Sequence, residues 1–202
     1  MSELSAAAVP AQHPVRLRIT DDLQRTRLTV AFRLILAIPH FVWVFLWGIA
    51  AVVVGLVNWV ATLIKGRSPD SLQNFLAGFL RYTVHTGSYL FLIADPFPGF
   101  FKINMKDDYP IDLEVDPPEV QNRWTVGFRP LLAIPALIIA QILRQISEVL
   151  AIFSWFVALF TGRVPLGLRN FAAWALRYET QTYAYLGLLT PRYPNFDVNV
   201  TA

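Results

Sequence analysis

The stretch Arg27-Leu-Thr-Val-Ala-Phe-Arg-Leu-Ile-Leu-Ala-Ile-Pro39 decides the fold, because it returns 96 residues later as Arg123-Trp-Thr-Val-Gly-Phe-Arg-Pro-Leu-Leu-Ala-Ile-Pro135. Nine of the thirteen positions are identical, where unrelated sequences would share about one. The same shift aligns Trp59 with Trp155 without a gap. The chain therefore contains two tandem copies of one unit.

The repeat predicts two domains of the same order, residues 14–106 and 107–202, after a disordered tail in residues 1–13. In each copy the periodicity indicates an extended segment, an amphipathic elbow helix that meets a proline, two long helices and a second extended segment. The four extended segments predict a small antiparallel β-sheet. In that sheet we expect Arg16 and Arg18 to lie near Asp112 and Glu114, their equivalents in the second copy.

The first long helix has the composition of a membrane span. Residues 41–64 contain only Asn58 and Thr62 as polar side chains, and a helix of this length covers the roughly 30 Å hydrocarbon core of a bilayer. The whole chain has a mean hydropathy of +0.45 and only 15% charged residues, which is unusual for a soluble protein. We expect an integral membrane protein.

The turns set the predicted topology. Pro69 is placed to begin a helix that returns across the bilayer in residues 70–93. Two such hairpins predict a mainly α-helical protein with four spans. Because an even number of crossings restores the starting side, we expect parallel repeats related by an axis along the membrane normal, with the sheet on one membrane face.

A proline falls within the predicted first long helix of each copy. Residues 28–64 are too long for one untilted crossing, so we expect an interfacial elbow or a sharp kink at Pro39. The second copy departs from the pattern at Pro130, and its helix is expected to be kinked differently.

A polar stripe on the return helices is the first candidate site. An arginine that faces lipid is costly, so the stripe must face the protein interior, a partner or the membrane surface. In one interpretation the arginines bind main-chain carbonyls and carboxylates. In the other they contact anionic lipid headgroups or a partner. The candidate residues are Asn74, Arg81, Asn170 and Arg177 of the return helices, together with Arg33 and Arg129 of the elbow helices.

A polar seam in the third predicted span is the second candidate site, and the first copy has apolar residues or glycine at these positions. Arg144 and Glu148 are one helical turn apart and can neutralise each other. We expect the seam to recruit another helix or subunit, with a proton or ion pathway as the alternative. The seam consists of Gln141, Arg144, Gln145 and Glu148.

Several functional classes lack support in the sequence. With no cysteine, the chain has no disulfide, thiolate metal ligand or cysteine nucleophile. The three histidines have no metal-ligand spacing, and no nucleophile elbow or glycine-rich phosphate loop is present. The sequence also lacks the stripe of basic residues with spaced aromatics that would indicate nucleic-acid binding. We expect no enzymatic activity, no metal and no cofactor.

The duplicated pattern Arg-x-Thr-Val-x-Phe-Arg-x-x-x-Ala-Ile-Pro, followed by Gly-Arg-x-Pro and then by Asn-Phe and Arg-Tyr, resembles a bacterial membrane family known as domain of unknown function 4389. The resemblance spans about residues 14–200. It implies a multi-pass membrane protein and transfers no activity or site residue.

These observations predict a non-enzymatic scaffold or accessory subunit in the bacterial cytoplasmic (inner) membrane. Its expected partners are membrane lipids and either another membrane protein or further copies of itself. A small-molecule or ion transporter or channel that acts as an oligomer is the alternative. A count of arginines and lysines at the two ends of the predicted spans favours cytoplasmic termini.

Overall fold

The structure is a computed structural model that describes residues 12–100 and 109–197. Its elements, in chain order, are β1 Val15–Ile19, α1 Arg27–Lys65, α2 Asp70–Leu90, β2 Ile111–Val115, α3 Arg123–Gly127, α4 Arg129–Thr161 and α5 Leu166–Leu186. A mainly helical fold with a small antiparallel sheet is confirmed. Most of the predicted tail and of the third and fourth strands, near residues 101–105 and 196–200, lies outside the described residues.

The two strands pair around a pseudo-two-fold axis. Leu17 lies opposite Leu113, which is its own equivalent in the second copy, so this pair marks the axis. Arg16 lies opposite Glu114, with 3.4 Å between Arg16 Nε and Glu114 Oε2. The predicted juxtaposition of opposite charges across the sheet is confirmed.

The two copies exchange contacts at their helix ends. The Arg25 N–H donates to the Gly162 carbonyl at 2.9 Å, and the equivalent Gln121 N–H donates to the Gly66 carbonyl at 2.7 Å. The start of α1 thus lies at the end of α4, and the start of α3 lies at the end of α1. Reciprocal contacts of this kind define a two-fold relation, and α1 and α4 are antiparallel.

The predicted parallel arrangement of the repeats is therefore wrong, and the linker between them supplies the reason. Tyr109 Oη donates to the Pro96 carbonyl at 3.1 Å, just beyond the end of α2. Gln73 Nε2, in the first turn of α2, donates to the Asp116 carbonyl at 3.0 Å. The chain between Tyr109 and Asp116 runs back along α2, so the second copy begins at the opposite end from the first.

The predicted elbow helix is not a separate element of the first copy, because α1 continues through Pro39 without a break. In the second copy the helix is interrupted at Phe128, where the short α3 ends, and Pro130 occupies the first turn of α4. Proline lacks a backbone N–H and is favoured in a first turn. The predicted difference between the copies at Pro130 is confirmed.

The elements form three layers. The inward side chains of the sheet, among them Leu17 and Leu113, belong to one core cluster with Leu80 of α2 and Leu176 of α5. α1 packs on α2, α4 packs on α5, and α1 and α4 also contact each other. The six consecutive residues 177–182 of α5 are all buried, so this helix is covered on every side. α2 and α5 are the middle layer between the sheet and the long helices.

Two helices in the described part of the chain, α1 and α4, are long and apolar enough to cross a membrane, by length and composition only. At 1.5 Å per residue they are about 58 Å and about 50 Å long. α2 and α5 are not in this group, so the four-span topology stays a prediction.

The indole groups of the equivalent residues Trp59 and Trp155 give the first testable prediction. Trp59 Nε1 donates to the Val126 carbonyl at 2.8 Å, and Trp155 Nε1 donates to the Val30 carbonyl at 2.6 Å. Pro130 cannot supply the helical hydrogen bond to Val126. Trp59→Phe should therefore lower the free energy of unfolding by about 1–2 kcal/mol, and Trp155→Phe by about half as much. Denaturant unfolding in detergent micelles measures both. Equal losses would contradict this account.

Candidate functional site

The long helix α1 has its polarity reversed relative to a helix of a soluble protein. Its polar side chains His40, Asn58 and Thr62 are fully buried. The exposed positions in its middle are apolar, with Phe45 67% and Val52 65% exposed. Polar groups point into the protein, and an apolar surface points away from it.

Two of the buried polar side chains of α1, His40 and Asn58, have partners inside the protein. Asn58 Nδ2 donates to the Gly187 carbonyl at 3.1 Å, and Ser68 Oγ donates to Asn58 Oδ1 at 2.6 Å. His40 Nδ1 lies 2.6 Å from Tyr82 Oη. These bonds join α1 to its own return helix and to the second copy, so the polar residues hold the helices together.

Arg33 is one of the largest fully buried side chains of the described chain, at 1% exposure. Its guanidinium donates to the carbonyls of Tyr89 and Ala94 and to Asp95 Oδ1, the last at 2.7 Å. It also lies over the Tyr89 ring, 4.3 Å from the centroid. Arg33 therefore donates to the carbonyls where α2 ends, and protein groups surround its guanidinium.

Arg129 occupies the equivalent place in the second copy with different partners. It donates to the Thr190 carbonyl at 3.3 Å and to Gln121 Oε1, and lies 4.0 Å from the Tyr185 ring centroid. Pro191 stands where the first copy has its aspartate. Within residues 12–100 and 109–197, Arg129 has no ion pair, so neutral oxygens and a ring stabilise its charge.

Arg81 connects α2 to the sheet. Its Nε lies 3.2 Å from Asp112 Oδ1, and its Nη2 donates to the Leu113 carbonyl at 2.8 Å. These are the carbonyl and carboxylate contacts that the structural interpretation of the stripe requires. On the outer side of the sheet, Arg16 donates to Asp116 at 2.8 Å, and this hydrogen bond raises the pKa of the Arg16 guanidinium above its ordinary value.

The structure does not bring the six residues of the first candidate site together. Arg33, Arg81 and Arg129 each bind groups within the protein, and Arg177 is buried in α5. Asn74 and Asn170 are exposed near the starts of their helices. A contact between these residues and lipid or a partner stays a prediction.

In the second candidate site, the polar seam, Arg144 and Glu148 pair as expected, and Arg144 also contacts one further residue. Arg144 Nε lies 3.2 Å from Glu148 Oε1, and Arg144 Nη1 lies 2.8 Å from Glu179 Oε1 of α5. Sequence reasoning missed Glu179. The signal was present, because the first copy has Thr83 at the equivalent position, so this acid is as specific to the second copy as the seam itself.

The seam is a polar patch on an apolar helix. All four of its members are exposed, namely Gln141, Arg144, Gln145 and Glu148. Arg144 is about 22 Å from the start of α4 and about 26 Å from its end. The exposed positions equivalent to Gln141 and Glu148 in α1 are Phe45 and Val52, so the patch is a property of the second copy alone.

Exposed cations border the long helices at both ends. The antiparallel copies bring Arg27 of the first to the Gly162–Arg163 turn of the second. At the opposite end, Trp124 of α3 lies near the end of α1 and is 77% exposed. Tryptophan and cations in such positions are typical of a membrane–water interface. The exposed cations at the ends are Arg27, Lys65, Arg67, Arg123 and Arg163.

An open cleft beside the start of α1 is lined by Asp21, Asp22 and Asp95. Asp21 pairs with Arg25 at 2.7 Å and Asp95 pairs with Arg33 at 2.7 Å. The described residues hold no group of three or more His, Cys, Asp or Glu side chains arranged for a metal ion. We assign the cleft no ligand.

The buried ion pair of Arg33 gives the second prediction. Arg33→Met removes one hydrogen-bond donor from each of two buried carbonyls and the ion-pair partner of Asp95, and should lower the free energy of unfolding by about 3–5 kcal/mol. Arg18→Met is the matched control, because this side chain is 63% exposed and its loss should change stability by less than about 1 kcal/mol. Thermal and denaturant unfolding in detergent would measure both. A small effect at Arg33 would show that the carbonyls find other donors.

Comparison with known proteins gives one match. The family described as "Domain of unknown function (DUF4389)" matches residues 27–102 and 123–197, one match for each copy. Neither the curated proteins nor the solved structures contain a match. The predicted family and the predicted tandem copies are confirmed, and the chain belongs to the DUF4389 family.

Proposed function

We propose that the protein is a non-enzymatic membrane scaffold or accessory subunit. Lipid covers the exposed apolar surfaces of α1 and α4, and a membrane-protein partner binds the polar seam of α4. The observation that carries the proposal is the reversed polarity of α1, whose polar side chains His40, Asn58 and Thr62 are buried while its exposed positions are apolar.

The size of the apolar surface supports lipid contact. Two helices about 58 Å and about 50 Å long, each about 10 Å wide, present roughly 1,000 Å². The largest apolar patch on a soluble monomer is about 300–600 Å². At about 25 cal/mol per Å², covering this surface contributes about 25 kcal/mol. That exceeds the net stability of a typical domain, about 5–15 kcal/mol, so water is a poor solvent for this face.

The seam supports a protein partner. A charged side chain at the centre of a lipid-facing helix costs about 2.5–3.5 kcal/mol. The contacts of Arg144 with Glu148 and Glu179 offset part of this cost, yet Gln141 and Gln145 remain exposed. Side-chain amides commonly join neighbouring helices in membranes. A partner helix with hydrogen-bonding groups at the same depth would satisfy them.

The bacterial cytoplasmic membrane is the compartment that the proposal assigns. The charge count that favoured cytoplasmic termini compared the two ends of parallel hairpins. Because the antiparallel copies place Arg27 beside Arg163, each end of the long helices holds cations from both groups. The side of the membrane is therefore left out of the proposal.

Lipid contact is tested by flotation. The purified protein, transferred from detergent into a density gradient with liposomes, should float with the lipid fraction and resist extraction by alkaline carbonate. A monodisperse protein in plain buffer, without detergent or lipid, would contradict the proposal because the apolar surface would then be stable in water.

Partner binding is tested at the seam. Arg144→Leu and Glu148→Leu should each abolish or weaken by at least tenfold the recovery of a complex from membranes solubilised in mild detergent, as measured by native electrophoresis. Val52→Leu, at the position equivalent to Glu148, is the matched control and should leave the complex intact.

Two outcomes would remove the scaffold hypothesis. In one, neither seam substitution changes any assembly. In the other, the protein alone carries ions or small molecules across liposomes, which would establish the rival transporter function.

A further inference from the structure

The sheet lies level with the middle of the helices that it covers. Arg81, which binds the sheet at Asp112 and Leu113, is near the midpoint of α2. On the other copy, Gln181 Nε2 of α5 donates to the Val15 carbonyl at 3.1 Å. If the helices crossed a bilayer along its normal, the sheet would lie at the depth of the bilayer centre.

The outer face of the sheet is charged. Arg18 is 63% exposed, and Arg16 and Glu114 are partly exposed around their ion pair. Asp116 continues the row of charges at the end of β2. Each charge at the bilayer centre costs about 2.5–3.5 kcal/mol even on a permissive scale, so a row of them in hydrocarbon is strongly unfavourable. The sheet belongs in water.

The long helices face the other way. The sheet packs on α2 and α5, which lie between it and the layer of α1 and α4. The run from Leu34 to Ile64 contains no charged residue in 31 positions. A crossing needs only about 20 such residues. Apart from the polar seam around the Arg144–Glu148 pair of α4, the exposed surface of the long helices between their ends is apolar, and it lies on the opposite side of the middle layer from the charged sheet.

From this arrangement we propose that α1 and α4 lie along the membrane surface, side by side in a single leaflet, while the sheet faces water. The apolar surface enters the leaflet by about 5–10 Å, as in other interfacial helices. The exposed cations at the helix ends, such as Arg27 and Lys65, then meet the phosphates of anionic lipids. This inference rests on the lipid contact in the proposed function and adds that only the surface formed by α1 and α4 touches lipid.

The absence of native cysteine makes the orientation testable with single-cysteine variants at exposed positions. Arg27→Cys and Lys65→Cys mark the two ends of α1, Arg18→Cys marks the sheet, and Val52→Cys marks the apolar surface. The variants are labelled with a membrane-impermeant maleimide in intact spheroplasts and in everted vesicles. We expect both helix ends and the sheet to label from one and the same side, with Val52→Cys protected from both sides.

The labelling pattern separates this inference from the proposed function. If Arg27→Cys and Lys65→Cys label from opposite sides, α1 crosses the membrane and the inference is wrong, while lipid contact stands. If the protein stays in the soluble fraction and Val52→Cys labels fully, the protein does not contact lipid. Both the proposed function and this inference are then wrong.

Depth measurement gives an independent test. Fluorophores on cysteines at Leu34, Val52 and Ile64, all more than 60% exposed, are quenched by nitroxides at known depths in phosphatidylglycerol-containing vesicles. A helix in one leaflet places the three probes at one shallow depth. A crossing helix makes Val52 the deepest, because about 27 Å of helix separates it from Leu34, and that result would overturn the inference.

Discussion

The antiparallel pairing of β1 with β2 is the constraint on which the other features depend. Strands that pair in opposite directions around Leu17 and Leu113 force the chain to enter the two copies from opposite ends. The start of each long helix then lies at the end of the other, and backbone hydrogen bonds to the Gly66 and Gly162 carbonyls join the two copies there. As a result α1 and α4 share one layer, with their apolar surfaces exposed, and the charges of the sheet are kept in another.

Besides the apolar core around the sheet, buried polar side chains and small residues join the helices. In lipid there is no hydrophobic driving force between helices. Helices are then held together by small residues, which allow close packing, and by hydrogen bonds between the helices. Buried alanines of α4 such as Ala133 and Ala140 provide the first. Arg33 and Asn58, each bonded to carbonyls of a neighbouring element, provide the second. The guanidinium groups of Arg33 and Arg129 and the amide of Asn58 each donate to a carbonyl near the end of a helix.

The two copies differ in the location of their charged side chains. The first neutralises its buried arginines internally, with Asp21 on Arg25 and Asp95 on Arg33. The second has Pro117 and Pro191 in place of these acids and instead carries ionised groups along the exposed side of α4. The duplicated fold thus has one copy that pairs its buried arginines with acids and one that exposes a polar surface on its long helix.

Much of the fold and of the candidate sites was predictable from the sequence, with two exceptions. The fixed shift of 96 identified the copies, the opposed charges of the sheet and the irregularity at Pro130. The fate of Arg33 was not accessible, because its carbonyl partners lie more than 50 residues away. The direction of the second copy was missed since only helices were counted as crossings. Yet residues 110–121, if extended, reach about 40 Å, more than the roughly 32 Å length of α2. An extended segment can return the chain to its starting end as well as a helix does.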